Sequence, residues 1–253
     1  MDVRLRERIL ARRWFYQYRL PDGSMTESYL PDPARAIHET RRRMLVEHLD
    51  GRYSADWSGL RCLDLACHEG FFAVELARRG CREVLGIDAR AEHVEHAGWI
   101  GRAFGLSALS FQRGDLLALD PAALGAFDVV LLFGVLYHLP DPVGALRSAR
   151  ELTRGVCLIE TQVAPEAEGV IEWGSVEFEM PVRGCLAIVD ESGELARGNR
   201  EASVSEFSLV PSLEGLLFLL RAAGFARSKV LDPSPGAYEQ HARGRRVMVA
   251  AEA

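Results

Sequence analysis

The chain has 253 residues, 48% hydrophobic and 26% charged, which excludes a mostly disordered polymer and leaves ample apolar material for one large core. Its formal net charge of −6, from 30 Lys and Arg against 36 Asp and Glu, disfavours a nucleic-acid binder, because phosphate neutralisation needs a basic surface. Lys229 is the sole lysine, so any lysine-based catalysis would rest on that residue, since arginine keeps its proton.

Along the chain, residues 3–13 read as a short basic helix. WFYQYRLPDGSMTESYLPDP follows, and its Pro-Asp-Gly turn between an aromatic run and a Thr-containing run predicts a hairpin or extended arm. Residues 33–49 read as a helix that opens on Pro33, with Ile37, Met44, Leu45 and Leu49 on one broad face. Short strands then alternate with helices. RCLDLAC (61–67) is a strand, GFFAVELARRG (70–80) a helix, EVLGIDA (83–89) a strand, and a further helix runs to about residue 104. LSFQRGD (109–115) and the nearly all-apolar FDVVLLFGVL (127–136) are the third and fourth strands. DPVGALRSARELT (141–153) is a helix and GVCLIETQ (155–162) the fifth strand. The alternation breaks over about 163–210, where VEFEM and CLAIVD read as short pairing strands. It resumes with a helix at 211–225, the strand ARSKVLD and the terminal strand RRVMVAAEA. This pattern predicts an α/β, doubly wound parallel sheet. The expected division is an N-terminal arm and helix over 1–50, a Rossmann-like core over 51–163 and 211–253, and a substrate-side insertion over 164–210.

Five cysteines without a CxxC pair, Cys62, Cys67, Cys81, Cys157 and Cys185, suggest free thiols in a reducing compartment. MDVRLRERIL lacks the apolar centre of a secretory signal, and no apolar run approaches the roughly 18–20 residues of a membrane span, so a cytoplasmic protein without membrane contact is expected. His/Cys metal spacing is absent, and no metal is expected.

The chemistry concentrates at strand ends. In LDLACHEGFF a tight turn leads from the strand that carries Asp64 to a helix, which sets free N–H groups beside a ligand. Asp88 ends the second strand, where a carboxylate can accept both ribose hydroxyls of a nucleoside. Gly114-Asp115 ends the third, an acid suited to an adenine amino group. A nicotinamide-dependent oxidoreductase would want G-x-G-x-x-G, which ACHEGF lacks.

Together LDLACHEG, VLGIDA, GDL and FDVVLLFGVLYHLPDP, in this order and spacing, resemble the motifs of class I S-adenosylmethionine (SAM)-dependent methyltransferases. The resemblance covers roughly 60–160 and 211–252. It implies a seven-stranded sheet with the last strand antiparallel, SAM as cofactor and S-adenosylhomocysteine (SAH) as product. Ala66-Cys67-His68-Glu69-Gly70 stands where that family usually carries Gly-x-Gly-x-Gly, with Phe71 next. Ala89 follows the ribose acid and Leu116 the adenine acid. GVLYHLPDP, together with SLVPSLEGLLFLLRAAGF, is similar to the tRNA wobble-uridine carboxymethyltransferases and related small-molecule methyltransferases. By that resemblance Tyr137 lies at the reactive end of the cofactor and Phe133 lines it. The lysines that this group carries before the first motif are missing here. Ordinary SAM and a small acceptor are therefore expected, with methyl transfer to an oxygen or nitrogen of, for example, a sugar or natural product. A tRNA-modifying enzyme and a non-catalytic SAM- or SAH-binding protein are the alternatives, and either a monomer or a homodimer is compatible.

His138 follows Tyr137 at the ligand side of the fourth strand and is the candidate base for a hydroxyl acceptor. Cys67 reads as a small packed residue. His93, His96 and the run Arg41-Arg42-Arg43 read as solvated helix faces, the run otherwise contacting an anion at the cofactor carboxylate or acceptor. Trp14, Phe15, Tyr16 and Tyr18 read as an arm packed on the core. Glu172, Glu177 and Glu179 read as mainly solvated acids of the insertion.

Overall fold

The computed structural model describes residues 2–172, 179–193 and 205–253. Glu177 and most of VEFEM lie outside these residues. An apolar face brings α1 (Val3–Leu10) onto the body, with Ile9 fully buried. Next come β1 (Arg13–Trp14), a turn at Pro21-Asp22-Gly23, and β2 (Glu27–Ser28). The Arg19↔Met25 bridge around the turn is antiparallel, as a hairpin requires, but β1 and β2 pair in parallel, so the arm curls into a loop instead of running as one ribbon. The next helix, α2 (Asp32–Tyr53), extends four residues past the predicted end and stops where Ser54 and Ala55 turn left-handed.

The alternating segment forms β3 (Arg61–Leu65), α3 (Phe71–Arg78), β4 (Glu83–Asp88), α4 (Ala91–Phe104), β5 (Leu109–Arg113), the short α5 (Pro121–Leu124) and β6 (Phe127–Phe133). A single 3-10 turn, Leu136–His138, precedes α6 (Pro142–Leu152) and β7 (Thr153–Gln162). Asp141 caps α6 by accepting from the Gly144 N–H at 2.8 Å, which fixes the exit of the chain from the sheet.

After β7 come two hairpins. One pairs β8 (Val170–Glu172) with β9 (Glu179–Pro181), the other β10 (Leu186–Asp190) with β11 (Phe207–Pro211). CLAIVD thus pairs with the segment just before the next helix. That helix, α7 (Leu213–Ala222), starts two residues later than predicted, because Pro211 completes β11 and Ser212 caps the helix. The chain ends with β12 (Arg227–Leu231), the short α8 (Glu239–Ala242) and β13 (Arg246–Glu252).

Seven strands form one sheet in the order β12-β13-β7-β6-β3-β4-β5. The five strands β3 to β7 run parallel, and β13 is antiparallel to both its neighbours. This is the expected Rossmann-like seven-stranded sheet. Its inner strands are mostly apolar runs because helices cover both faces, one core built with α2, α3 and α4 and the other with α6 and α7, while the edge strands β5 and β12 are largely exposed. The order reverses between β3 and β6, so a crevice opens at their carboxyl ends. No described helix is long and apolar enough to cross a membrane.

Candidate active site

A cleft of about 280 Å³ lies at this reversal. Its wall brings together Ala66, His68, Asp88, Ala89, Gly114, Asp115, Leu116 and Phe133 with Tyr137 and His138, residues that four separate segments supply. Four other expected cofactor residues do not line it. Asp64 lies beneath the loop, 2% exposed, and accepts from the Ala73 N–H of α3 at 3.1 Å. Burial, with a smaller contribution from Asp88, pushes its carboxyl up to about 8. Cys67 is packed behind the loop, and burial raises its thiol well above the usual range. Gly70 caps α3, and Phe71 stacks on Tyr16 at 4.8 Å.

The loop keeps the backbone shape of a glycine-rich turn without the glycines. Ala66 (φ +55°) and His68 (φ +52°) are both left-handed, as is Gly70 (φ +81°). Each non-glycine position of this kind costs on the order of 1 kcal/mol and persists only where its surroundings enforce it. Asp88 supplies much of that enforcement. It accepts from the His68 N–H (2.8 Å) and the Arg90 N–H (2.9 Å), and His93 Nδ1 stands 3.1 Å away. Burial opposes the charge on Asp88. The His93 contact and the two N–H bonds outweigh it and hold the carboxyl below its ordinary value. His93 also stacks on the His68 ring at 3.8 Å. The solvated reading of His93 and His96 is therefore corrected: His93 faces the loop, and His96 is 8% exposed between Trp14 and Trp99. Asp115 is exposed and accepts from the Leu117 N–H at 3.0 Å.

Glu69 was not singled out from the sequence, yet it ties the arm to this loop. Its carboxylate, 2% exposed, accepts from the Phe15 N–H (2.9 Å) and Arg12 (3.2 Å), with the Tyr16 N–H at 3.4 Å. The Tyr18 hydroxyl donates to its carbonyl at 2.8 Å. Trp14, Tyr16 and Tyr18 pack into the core as expected, while Phe15 sits against His68 and lines the cleft. Replacing Glu69 with Ala is expected to cost roughly 1–3 kcal/mol, since buried donors lose their acceptor. Hydrogen exchange should speed up over residues 12–28, and an unchanged exchange pattern there would deny Glu69 its anchoring role.

The far end of the cleft holds a second cluster missed in the sequence. Glu160, fully buried on β7, meets Arg41 of α2 (2.6 Å), Arg246 of β13 (3.2 Å) and His241 of α8 (3.0 Å). Arg246 also donates to the Tyr137 hydroxyl at 2.9 Å and lies over its ring. Arg41 is 4% exposed and lines the cleft, which corrects the solvated reading of that residue. It passes beside Gly134 (φ +69°), where a Cβ would stand 3.0 Å from the guanidinium, so a side chain there would be strained and would press on Arg41. Burial opposes the Glu160 charge, but Arg41, His241 and Arg246 outweigh it and hold the carboxyl far below its usual range. Two guanidiniums against one carboxylate leave a surplus positive charge, and Arg41 Nε has no partner among the described residues. The lining thus suits a nucleoside with an anionic tail. Acids stand at one end for hydroxyls and an amine, apolar side chains in the middle, and cations at the other end.

Comparison with known proteins agrees with this geometry. The Methyltransferase domain family matches residues 56–195, more than half of the chain. The ubiquinone biosynthesis O-methyltransferase of Neisseria meningitidis is 30% identical over 109 residues, 43% of this chain and 45% of that protein. The tRNA U34 carboxymethyltransferase of Klebsiella pneumoniae is 27% identical over 192 residues, 75% of this chain and 50% of that protein. The chain spans about half the length of these curated relatives. Among solved structures, the N-terminal domain of EvdMO1, studied with SAH and D-fucose, has a TM-score of 0.67 at 24% identity, covering 100% of this chain and 96% of that one. With the sheet order, the crevice and the family match in agreement, the chain belongs to the methyltransferase-domain family and has the fold of class I SAM-dependent methyltransferases.

Proposed function

We propose that this protein transfers the methyl group of SAM to an oxygen or nitrogen of a small acceptor, a sugar hydroxyl being the first choice. The observation that carries this reading is the two-ended cleft, with acids at one end and Arg41 at the other, walled by Phe15 and Tyr16 of the arm and by Tyr137 and His138. In this reading Asp88 holds the ribose hydroxyls, Gly114 and Asp115 the adenine edge, and Arg41 the carboxylate of the methionine moiety. When bound, the cofactor supplies a methyl group whose bond to sulfur breaks with the electron pair left on sulfur. The chain's own residues orient the acceptor and exclude water, which can account for much of the rate. His138 takes a proton where the acceptor is a hydroxyl. The EvdMO1 domain, by its likeness in fold over the whole chain, makes D-fucose the acceptor to try first.

The relatives named for tRNA modification support a second reading, since one of them matches three quarters of this chain. Incubation with methyl-labelled SAM decides between the two. Label is expected in D-fucose or in another member of a deoxyhexose panel. Label in bulk tRNA instead, falling steeply with added salt, would overturn the small-acceptor reading.

A further inference from the structure

The hairpin β10–β11 is strapped to the turn that carries His138. The Leu209 N–H donates to the Leu139 carbonyl at 3.0 Å, which fixes β11 beside the residue after His138. Ser208, fully buried on β11, donates its hydroxyl to Glu191 Oε1 at 2.9 Å. The Glu191 N–H bonds the Glu206 carbonyl at 2.9 Å, so the backbone there is held across the hairpin. The same Oε1 stands 3.6 Å from His138 Nδ1. Both side chains are largely sheltered, Glu191 at 12% and His138 at 26% exposure. His138 lines the cleft while its Nδ1 edge is turned to Glu191.

From this geometry we propose that Glu191 is a positioning residue that pairs with His138 and makes it the general base for a hydroxyl acceptor. The proposal rests on the hydroxyl-acceptor reading given above. A carboxylate beside Nδ1 favours the tautomer with the proton on Nδ1, which leaves the Nε2 lone pair for the acceptor. As the acceptor oxygen bonds the methyl carbon and the carbon–sulfur bond breaks with its electron pair left on sulfur, the hydroxyl proton moves to Nε2, and the imidazolium so formed is balanced by Glu191. A gap of 3.6 Å is longer than a formed hydrogen bond, and contacts of this kind commonly tighten when substrate binds. Ser208 keeps the carboxylate from rotating away. Among the described residues, Tyr137 stands 4.3 Å from the ring on the same turn, and Arg246 of β13 bonds the Tyr137 hydroxyl. Across the cleft stand Asp88, His93, His68 and Arg41.

The first test needs no acceptor. Nitrogen-detected NMR titration of the His138 ring in the full chain, with and without SAH, is compared with that of Glu191→Gln. This variant keeps the size of the side chain and the Ser208 contact. Loss of the carboxylate should lower the His138 midpoint, because a nearby negative charge favours the imidazolium. The amide can also donate to Nδ1 and so shift the proton to Nε2. An identical midpoint and tautomer in both proteins overturns the pairing. The second test is kinetic, with D-fucose as acceptor. Glu191→Gln should reduce kcat roughly 100-fold at pH 7 while KM stays within threefold, and Glu191→Asp should restore part of the loss. A slower kcat with an unmoved His138 titration would make Glu191 merely structural and also overturn the proposal. If the wild-type protein methylates no sugar, the acceptor reading fails, and the titration alone still decides whether the pair exists.

Discussion

Replacing Glu160 with Gln should destabilise the protein by about 3–5 kcal/mol, because it strands buried guanidiniums that have lost their carboxylate. For a chain of this size that corresponds to a fall in Tm of roughly 6–20 °C. Arg41 and Arg246 are 4% and 7% exposed, so water cannot replace the lost partner at little cost. The double variant Glu160→Gln/Arg41→Met should recover part of the loss, since it removes one of the stranded charges. The expected pH dependence has a definite sign. The folded-state carboxyl of Glu160 lies below its unfolded value. Its stabilising contribution is therefore complete above about pH 4.5 and is lost as the pH falls toward and through the folded value. The deficit of the variant should be constant near neutrality and shrink in acid. Thermal melts from pH 3 to 8 read this out, and a deficit that grew in acid would contradict the assignment.

If Asp88 holds the ribose as proposed, titrating SAH into Asp88→Ala should show binding weakened by about 1–3 kcal/mol, roughly 5- to 150-fold, as charge-assisted bonds are lost. Two effects combine in that figure, because Asp88 also holds the His68 and Arg90 amides. Asp88→Asn separates them. Its amide oxygen can still accept one of those N–H groups, so the loss should be smaller than for Ala. Since the Asp88 carboxyl is held below its usual range, wild-type affinity should stay flat from pH 6 to 9 as far as this group is concerned. Calorimetry with unchanged affinity in both variants would remove Asp88 from the cofactor site.

The sheet was legible because its determinants are local. Apolar runs such as FDVVLLF, separated by helices that end in glycine, specify buried parallel strands almost by themselves. The position of Asp88 and Asp115 on the cleft wall was legible because a strand end is a place that sequence defines. The polar clusters were not, because their partners are remote in sequence: Glu69 meets Phe15, and Glu160 meets both Arg41 and Arg246. One signal existed for Glu160. An acid inside GVCLIETQ, a strand buried on both faces, requires a buried cation. Another existed for Arg41, which falls on the same helical stripe as His38 and Leu45. The reading of three adjacent arginines as one solvated face ignored that stripe. The hairpins failed in detail because two-residue and three-residue strands carry too little alternation to fix their pairing.

Glu69 belongs to two equilibria at once. Its backbone lies between the left-handed residues His68 and Gly70, and its carboxylate carries the arm. Whatever factor arm docking adds to cofactor affinity, cofactor binding must add to arm docking, since linkage is reciprocal. An antibody fragment that clamps residues 12–28 in their docked form would thus act as an effector that tightens SAH binding without touching it. One that captures the free arm would act as an antagonist by the same route.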